Sequence, residues 1–410
     1  MTSARRPIIA LLVVLSFSGL YTLWSQGRSG AGIDFYQMWV GTRLARETRD
    51  FYAPATGARG GEEYLRRAAI EEHSPRRLAV AQHRRQLELV STPFLYMLYA
   101  PLRGTYERDL LLFQTLTILA FVAAIASLAR TFGYGVPLGL ALFAVLVNAF
   151  VPVATDIRVA NSNSIVLLLV AAALAMTAKR SFLASGALLA LATLIKPYVV
   201  LVLLLTYAIW ILKRRWRDLA EHLVGAAIVA MIGIVASSFY FRSAWIWIEW
   251  VQALRALPRA MVPLEIGNFA LARIVEDLWG VHISTLLLAL AFAIAVLAAW
   301  RARSTPAHTD LLAIGLGCVI ALLGSPLVWL HYLVLCLPLL TYLLRPAADD
   351  EAHAHARRRQ IAAAIVLSML AIEPWAQLIP TTIQLAAFVN LGFLIAFVAA
   401  LGDVRGTRTA

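Results

Sequence analysis

Apolar residues run along this chain in stretches of about 16–23, the length of helix that crosses a ~30 Å hydrocarbon layer, and short polar or basic turns separate them. The first stretch, about 8–24, lies within "MTSARRPIIALLVVLSFSGLYTLWSQG". It has the layout of a signal peptide, a basic end before an apolar core. It lacks a clear small-x-small cleavage site and makes ~26 Å of helix, so it reads as an uncleaved first span. Further spans are expected at about 108–130, 135–153, 161–178, 219–240, 282–300, 310–324, 327–345, 361–377 and 380–401. "FLASGALLALATLIKPYVVLVLLLTYAIWIL" is too long for one span and is broken at Lys196-Pro197, which predicts a hairpin of two short helices. The pattern predicts an all-α polytopic integral membrane protein, a single transmembrane domain over 1–410 with roughly twelve transmembrane helices.

Three connections are longer than turns. The first, 25–107, is rich in Arg and Glu and predicts juxtamembrane helices. It contains "STPFLYMLYAPL", which is too short to cross and is interrupted by Pro93 and Pro101, so it predicts a re-entrant or interfacial element. The second, 241–281, holds "SAWIWIEW", read as an interfacial aromatic belt, and "GNFALARIVEDLWG"; both predict short helices along the membrane surface. The third, 345–360, carries "DDEAHAHARRR", which reads as a solvated loop in preference to a metal site. His73 and His83 in the first connection carry no signal of their own.

Composition narrows the class. Hydrophobic residues make up 61% of the 410 positions and charged residues 14%, with a mean hydropathy of +0.75. A soluble chain of this size cannot hide so much apolar surface. A net charge of +13 raises the question of nucleic acid, but the basic residues punctuate hydrophobic runs and form no long stripe. No nucleic-acid partner is expected. Cys318 and Cys336 both lie inside apolar runs and read as core thiols, so no disulfide framework is implied.

Charge also orients the chain. Seventeen Lys and Arg, from Arg5 and Arg6 to Arg405 and Arg408, fall in one set of short loops and ends. Six, namely Arg158, Lys196 and four arginines between 242 and 273, fall in the opposite set. The bias places both termini in the cytoplasm, and the long first connection is exempt because long segments translocate regardless of charge. The first two long connections then face the periplasm or the exterior, and 345–360 faces the cytoplasm.

Polar residues at membrane depth are expensive and therefore mark candidate chemistry. Asp34 comes ten residues after Trp24, among Phe35, Tyr36 and Trp39. The same outward level collects Asp156, Arg158, Asn161, Asn163, Lys196, Asn268, Arg273 and His331. Each has a plainer reading. Asn161 caps the helix it begins, Lys196 snorkels, His331 bonds a neighbouring helix and Arg158 pairs with Asp156. Their arrival at one level from five stretches of chain argues for a single site.

Several segments resemble glycosyltransferase family 87, the polyprenyl-phosphate-sugar-dependent, mannosyltransferase-like members of the GT-C superfamily, over about 30–340. "IDFYQMWVGTRLARETRDFYAP" is similar to the family's opening Asp and aromatic cluster, and "STPFLYMLYAPL" to its Tyr-Pro-Pro and Ala-Pro-Leu segment. "ANSNSIVLLLVAAALA" with "ASGALLALATLIKPYVVLVLLL" looks like its Gly-Gln-x-Asn and Lys-x-x-Pro helices. "GNFAL" is similar to an Asn-Gln-Ser-like stretch, and "SPLVWLHYLVLCLPLL" to a Ser-Pro-x-x-Trp-x-His helix. There are departures: Ala160-Asn161 stands for Gly-Gln, Ser91-Thr92-Pro93 for Tyr-Pro-Pro, and Pro197 follows Lys196 directly.

The resemblance implies a GT-C fold in a bacterial inner membrane, a polyprenyl-phosphate-sugar donor, a glycolipid or glycan acceptor, and contact with membrane lipids. It implies that Asp34 is the general base of an inverting transfer, with mannose the leading sugar. Lys196, His331, Arg158 and Arg273 are the candidates for the donor phosphate. Tyr36, Trp39, Asn161, Asn163 and Asn268 are the candidates for sugar or acceptor hydroxyls. A monophosphate donor needs little charge neutralisation and no carboxylate pair presents itself for a divalent ion, so no metal and no cofactor is expected. Two rivals remain at this point: a transporter or flippase of lipid-linked sugar, and an O-antigen-ligase-like transferase, whose large outward loop ordinarily comes late in the chain.

Overall fold

The computed structural model describes residues 5–70, 74–256, 267–301, 306–347 and 353–406. The described residues are helical throughout, with one isolated β-bridge between Asn268 and Trp329. His73, part of the second long connection (257–266) and Asp349, Asp350 and Glu351 of the third lie outside the described residues.

The first helix, α1 (Arg5–Ser29), is followed by four short helices: α2 (Ile33–Glu47), α3 (Pro54–Ile70), α4 (Pro75–His83) and α5 (Pro93–Leu98). Proline at the first turn of α4 and α5, behind the N-caps Ser74 and Thr92, sets where each begins. Next come α6 (Tyr106–Thr131), α7 (Val136–Ala149), α8 (Val151–Val159), α9 (Asn163–Ala178) and α10 (Phe182–Ile195). A 3₁₀ turn over Pro197–Val199 leads into α11 (Val200–Leu212) and α12 (Trp216–Phe241). The second long connection folds into α13 (Ile246–Ala256) and α14 (Leu271–Trp279). The chain then forms α15 (Ser284–Arg301), α16 (Pro306–Gly324), a 3₁₀ run over Leu330–Cys336, α17 (Leu337–Leu344), α18 (His353–Met369), α19 (Glu373–Leu378) and α20 (Thr382–Gly406).

Five of these helices, α1, α6, α12, α15 and α20, are long and apolar enough to cross a membrane, and α7 with α8, bent by 60°, makes a sixth if the pair is one broken span. These are fewer than the roughly twelve crossings expected, and five shorter apolar helices, over Asn163–Ala178, Phe182–Ile195, Pro197–Leu212, His308–Gly324 and Leu330–Leu344, stand beside them among the described residues. The apolar runs exist where expected, but the chain breaks them. At 1.5 Å per residue, the 14 residues of α10 reach only ~21 Å and the 16 of α9 ~24 Å. The run at 327–345 begins with a 3₁₀ stretch of 7 residues, and that at 361–377 splits at Ile372, whose φ is 49°. Protein buries only 17% of the spanning window of α1 and of α15, and 22% of that of α12, against 44% in α6 and α20. The first three therefore sit at the periphery, with apolar sides such as Phe17, Phe239 and Leu286 exposed for lipid to cover. This is a polytopic membrane protein, as its composition requires.

The short elements pack against one another around one end of the bundle. Thr92 at the head of α5 donates to the Leu194 carbonyl near the end of α10 (2.6 Å), joining the two proline-broken segments. In the aromatic belt, Trp250 of α13 donates to the Val90 carbonyl (2.9 Å) and Trp247 to Ser237 (2.9 Å). Residues of α2, of the stretch before α5 and of the turn after α8 line a polar cavity at this end.

Candidate active site

Asp34 owes its place to the residues on either side of it. Gly32, the N-cap of α2, has φ 67° and ψ 52°, a left-handed conformation that glycine adopts without strain. The Tyr106 hydroxyl donates to the carbonyls of Ala31 (2.5 Å) and Gly32 (3.2 Å) and ties this turn to α6. Phe35 and Tyr36 are fully buried, Phe35 against Phe113 and Tyr36 edge-on to Tyr106. Full burial of such a ring is worth roughly 2 kcal/mol. With that face of α2 fixed, Ile33, Asp34, Gln37 and Met38, one helical turn apart, look into the cavity.

The cavity holds about 860 Å³. Its far wall is the turn between α8 and α9. Ala160 closes α8 in the left-handed region (φ 54°, ψ 59°), and Asn161 follows with its amide bonded back to the Asp156 carbonyl (3.0 Å). The Asn161 side chain accepts from the Ser162 amide (2.7 Å) and donates to Asp34 Oδ2 (2.7 Å). The same Nδ2 lies 3.3 Å from His331 Nε2, which is itself 3.3 Å from Asp34 Oδ2. Arg84 Nη2 approaches Asp34 Oδ1 at 3.7 Å. Lys196 also lines the cavity, its Nζ 5.0 Å from the centre of the Tyr332 ring. Asp34, Asn161, His331 and Lys196 are thus brought together. A carboxylate, an amide, an imidazole and an ammonium around one void can hold an anionic group and accept a proton beside it.

The remaining sequence candidates do not line this cavity. Asn163 is fully buried, donating to Asp156 (3.0 Å) and accepting from the Tyr198 hydroxyl (2.9 Å). Asp156 also accepts from the amide and hydroxyl of Ser164, so it caps α9 from below and does not pair with Arg158. Arg158 is exposed and packs beside Gly30. Asn268 clamps the second long connection to the stretch before the 3₁₀ run: it accepts from the amides of Ala270 and Val328 and donates to the Pro326 carbonyl. Its neighbours Gly267 and Phe269 reach the cavity while it holds the wall. Arg273 pairs with Asp277 (2.8 Å) and Glu276 (3.6 Å) along α14. Trp39 donates to Asp109 (2.9 Å) under the guanidinium of Arg43. Burial raises the Tyr36 hydroxyl above the usual tyrosine range, so it stays a neutral phenol in the aromatic core.

Sequence reasoning passed over Gln37, His83, Arg84 and Glu88, which also line the cavity. Gln37 donates to the Glu88 carbonyl, fastening the 86–90 strip to α2. No local signal separates Arg84 from the many other arginines of the first connection. Among the described residues, no group of three or more His, Cys, Asp and Glu side chains is arranged to hold a metal ion.

Comparison with known proteins places this geometry in a class. The chain belongs to glycosyltransferase family 87, whose family model matches residues 91–326. It is therefore a membrane-embedded glycosyltransferase, and the cavity needs no transporter to account for it. The match contains Asn161, Lys196 and Asn268; Asp34, Arg84 and His331 lie outside it. No curated protein matches the chain.

Proposed function

We propose that this enzyme transfers a sugar, mannose first among the candidates, from a polyprenyl-phosphate-linked donor to a hydroxyl of a glycolipid or glycan, on the periplasmic or exterior face of a bacterial inner membrane. The GT-C fold and cytoplasmic termini are part of this reading. The observation that carries it is the meeting of Asp34 with Asn161, His331, Lys196 and Arg84 around one cavity. Asp34 takes the proton of the acceptor hydroxyl while its oxygen attacks the anomeric carbon from the face opposite the phosphate. The bond from that carbon to the phosphate oxygen breaks, and its electron pair leaves with the polyprenyl phosphate. One carbon–oxygen bond forms, one breaks, and configuration inverts.

Charge grows on the phosphate as it leaves, and Lys196 with its neighbours supplies the compensating donors. Asn161 holds the carboxylate of Asp34 so that one oxygen stays aimed at the acceptor. Asn163, Asn268, Tyr36, Trp39, Arg158 and Arg273 act from behind the wall in this reading, or on parts of the substrates that extend past the cavity. The short α5 and the break at Pro197 leave the bundle open at the side for an isoprenoid tail. Lysine and arginine bias between the short loops supports the orientation.

The test is to incubate the purified protein with a panel of polyprenyl-phospho-sugars and to identify the consumed donor by mass spectrometry. One consumed member, with release of polyprenyl phosphate, supports the reading. Turnover of nucleotide sugars alone overturns it.

A further inference from the structure

Arg84 is the residue that caps the C-terminal end of α4, and its side chain reaches the cavity wall. Its backbone is pressed onto α3: a Cβ at Gly61 would stand 1.9 Å from the Arg85 carbonyl oxygen and 3.2 Å from that of Arg84. The guanidinium is thus delivered to the site by a tightly held loop, yet it is loosely engaged there. Nη2 stands 3.7 Å from Asp34 Oδ1 and Nη1 3.5 Å from Glu88 Oε2. Both exceed the roughly 2.7–2.9 Å of a charge-assisted hydrogen bond. Nε is buried and has no hydrogen-bond partner among the described residues.

A buried arginine elsewhere in this protein is engaged differently. Arg359 gives its terminal nitrogens to the carbonyls of Leu343, Arg345 and Pro346. Arg84 has charge partners on two sides and no close bond to either, and its buried Nε–H meets no acceptor among the described residues. A phosphate would satisfy that donor once the side chain swings away from Asp34, because a planar guanidinium grips two oxygens at once through Nε and a terminal nitrogen. While Arg84 rests against Asp34, the carboxylate is a guarded base; once it leaves, one oxygen is released.

We propose that Arg84 exchanges partners, leaving Asp34 for the phosphate of the lipid-linked donor, so that donor docking is what frees the base. The inference rests on the donor reading above and adds an order to it: donor first, acceptor second. Lys196 remains facing Tyr332 and assists the phosphate without passing through Asp34.

The experiment measures binding of farnesyl phosphate, and of uncharged farnesol, to the full-length protein in detergent micelles. Arg84→Ala is expected to weaken farnesyl phosphate by about ten- to a hundredfold and to leave farnesol unchanged. Arg84→Lys, which keeps the charge and loses the fork, should fall between. Asp34→Asn is expected to tighten farnesyl phosphate severalfold, because it releases the guanidinium, and that gain should shrink toward nothing in the Arg84→Ala background. Simple removal of a repelling carboxylate would instead give the same gain in both backgrounds. Should Arg84→Ala fail to fold by thermal melt, Arg84→Gln carries the same comparison. Unchanged affinity in the Arg84 variants, or equal gains in both backgrounds, overturns the exchange and leaves the donor reading standing. Farnesyl phosphate that binds the wild type no better than farnesol overturns both.

Discussion

Asn161 Nδ2 lies 2.7 Å from Asp34 Oδ2 and 3.3 Å from His331 Nε2, so a single amide spans the carboxylate of α2 and the imidazole of a segment nearly three hundred residues later. The amide is itself fixed by its own Oδ1, which accepts from Ser162. Asn161→Ala removes the strut and keeps the backbone. The proposed enzyme should then lose about ten- to a hundredfold in kcat, as expected when a base is left free to rotate, with little change in melting temperature. Saturating-donor kinetics read this directly, and an unaltered kcat would show that Asp34 is aimed by something else.

Ala160, one residue earlier, is fully buried at φ 54°. An L-residue pays roughly 1–2 kcal/mol in that conformation, whereas glycine there would lose a packed methyl worth about 0.8 kcal/mol and gain unfolded-state freedom. The two effects nearly cancel. Ala160→Gly is therefore expected within about 0.5 kcal/mol of neutral, which fits the Gly-Gln that the resembled family carries at this turn. Ala160→Val, β-branched and overfilling a sealed position, should cost more than about 2 kcal/mol. Thermal or urea melts in detergent distinguish them; a harmless valine would mean that the turn is not held as described.

Four of the side chains around the candidate site stand out in the sequence, and for a definite reason. Asp34, Asn161, Lys196 and His331 each interrupt or edge an apolar run, where an unpartnered polar group is costly and so stands out. What could not be read is partnership across the chain. Asn163 and Asn268 carry the same side chain as Asn161, yet the first faces Asp156 and Tyr198 and the second faces Val328. Nothing local distinguishes these fates. Arg84 was hidden in the opposite way, by abundance. Fewer helices than the expected spans are long enough to cross, because hydropathy counts apolar residues and does not see a helix stop such as the one at Ile372, whereas the stop at Lys196-Pro197 is legible from its proline.

The delivery of Arg84 gives a prediction away from the cavity. Gly57 and Gly61 share one face of α3 and admit the 84–87 backbone, with an added Cβ falling 2.3 Å from the Leu87 oxygen and 1.9 Å from the Arg85 oxygen. Gly61→Ala must displace that strip. It should destabilise the protein by about 1–3 kcal/mol and reduce transfer, although neither glycine touches the cavity. Transfer at wild-type rate would mean that the strip can shift without carrying Arg84 away from Asp34.

Donor chemistry yields a simple chemical test. In the proposed mechanism Lys196 and Arg84 supply positive charge where a monophosphate leaves, so transfer should survive excess chelator at an undiminished initial rate. Activity abolished by EDTA and restored by Mg²⁺ or Mn²⁺ would move charge neutralisation from these side chains to an ion.

The most direct test of the central claim is the transfer rate of Asp34→Asn with the donor that the panel identifies, together with binding of that donor. General-base catalysis contributes about 10²–10⁴-fold, so the account predicts a loss of that size in transfer with donor binding kept or tightened. Transfer by Asp34→Asn at the wild-type rate would contradict it.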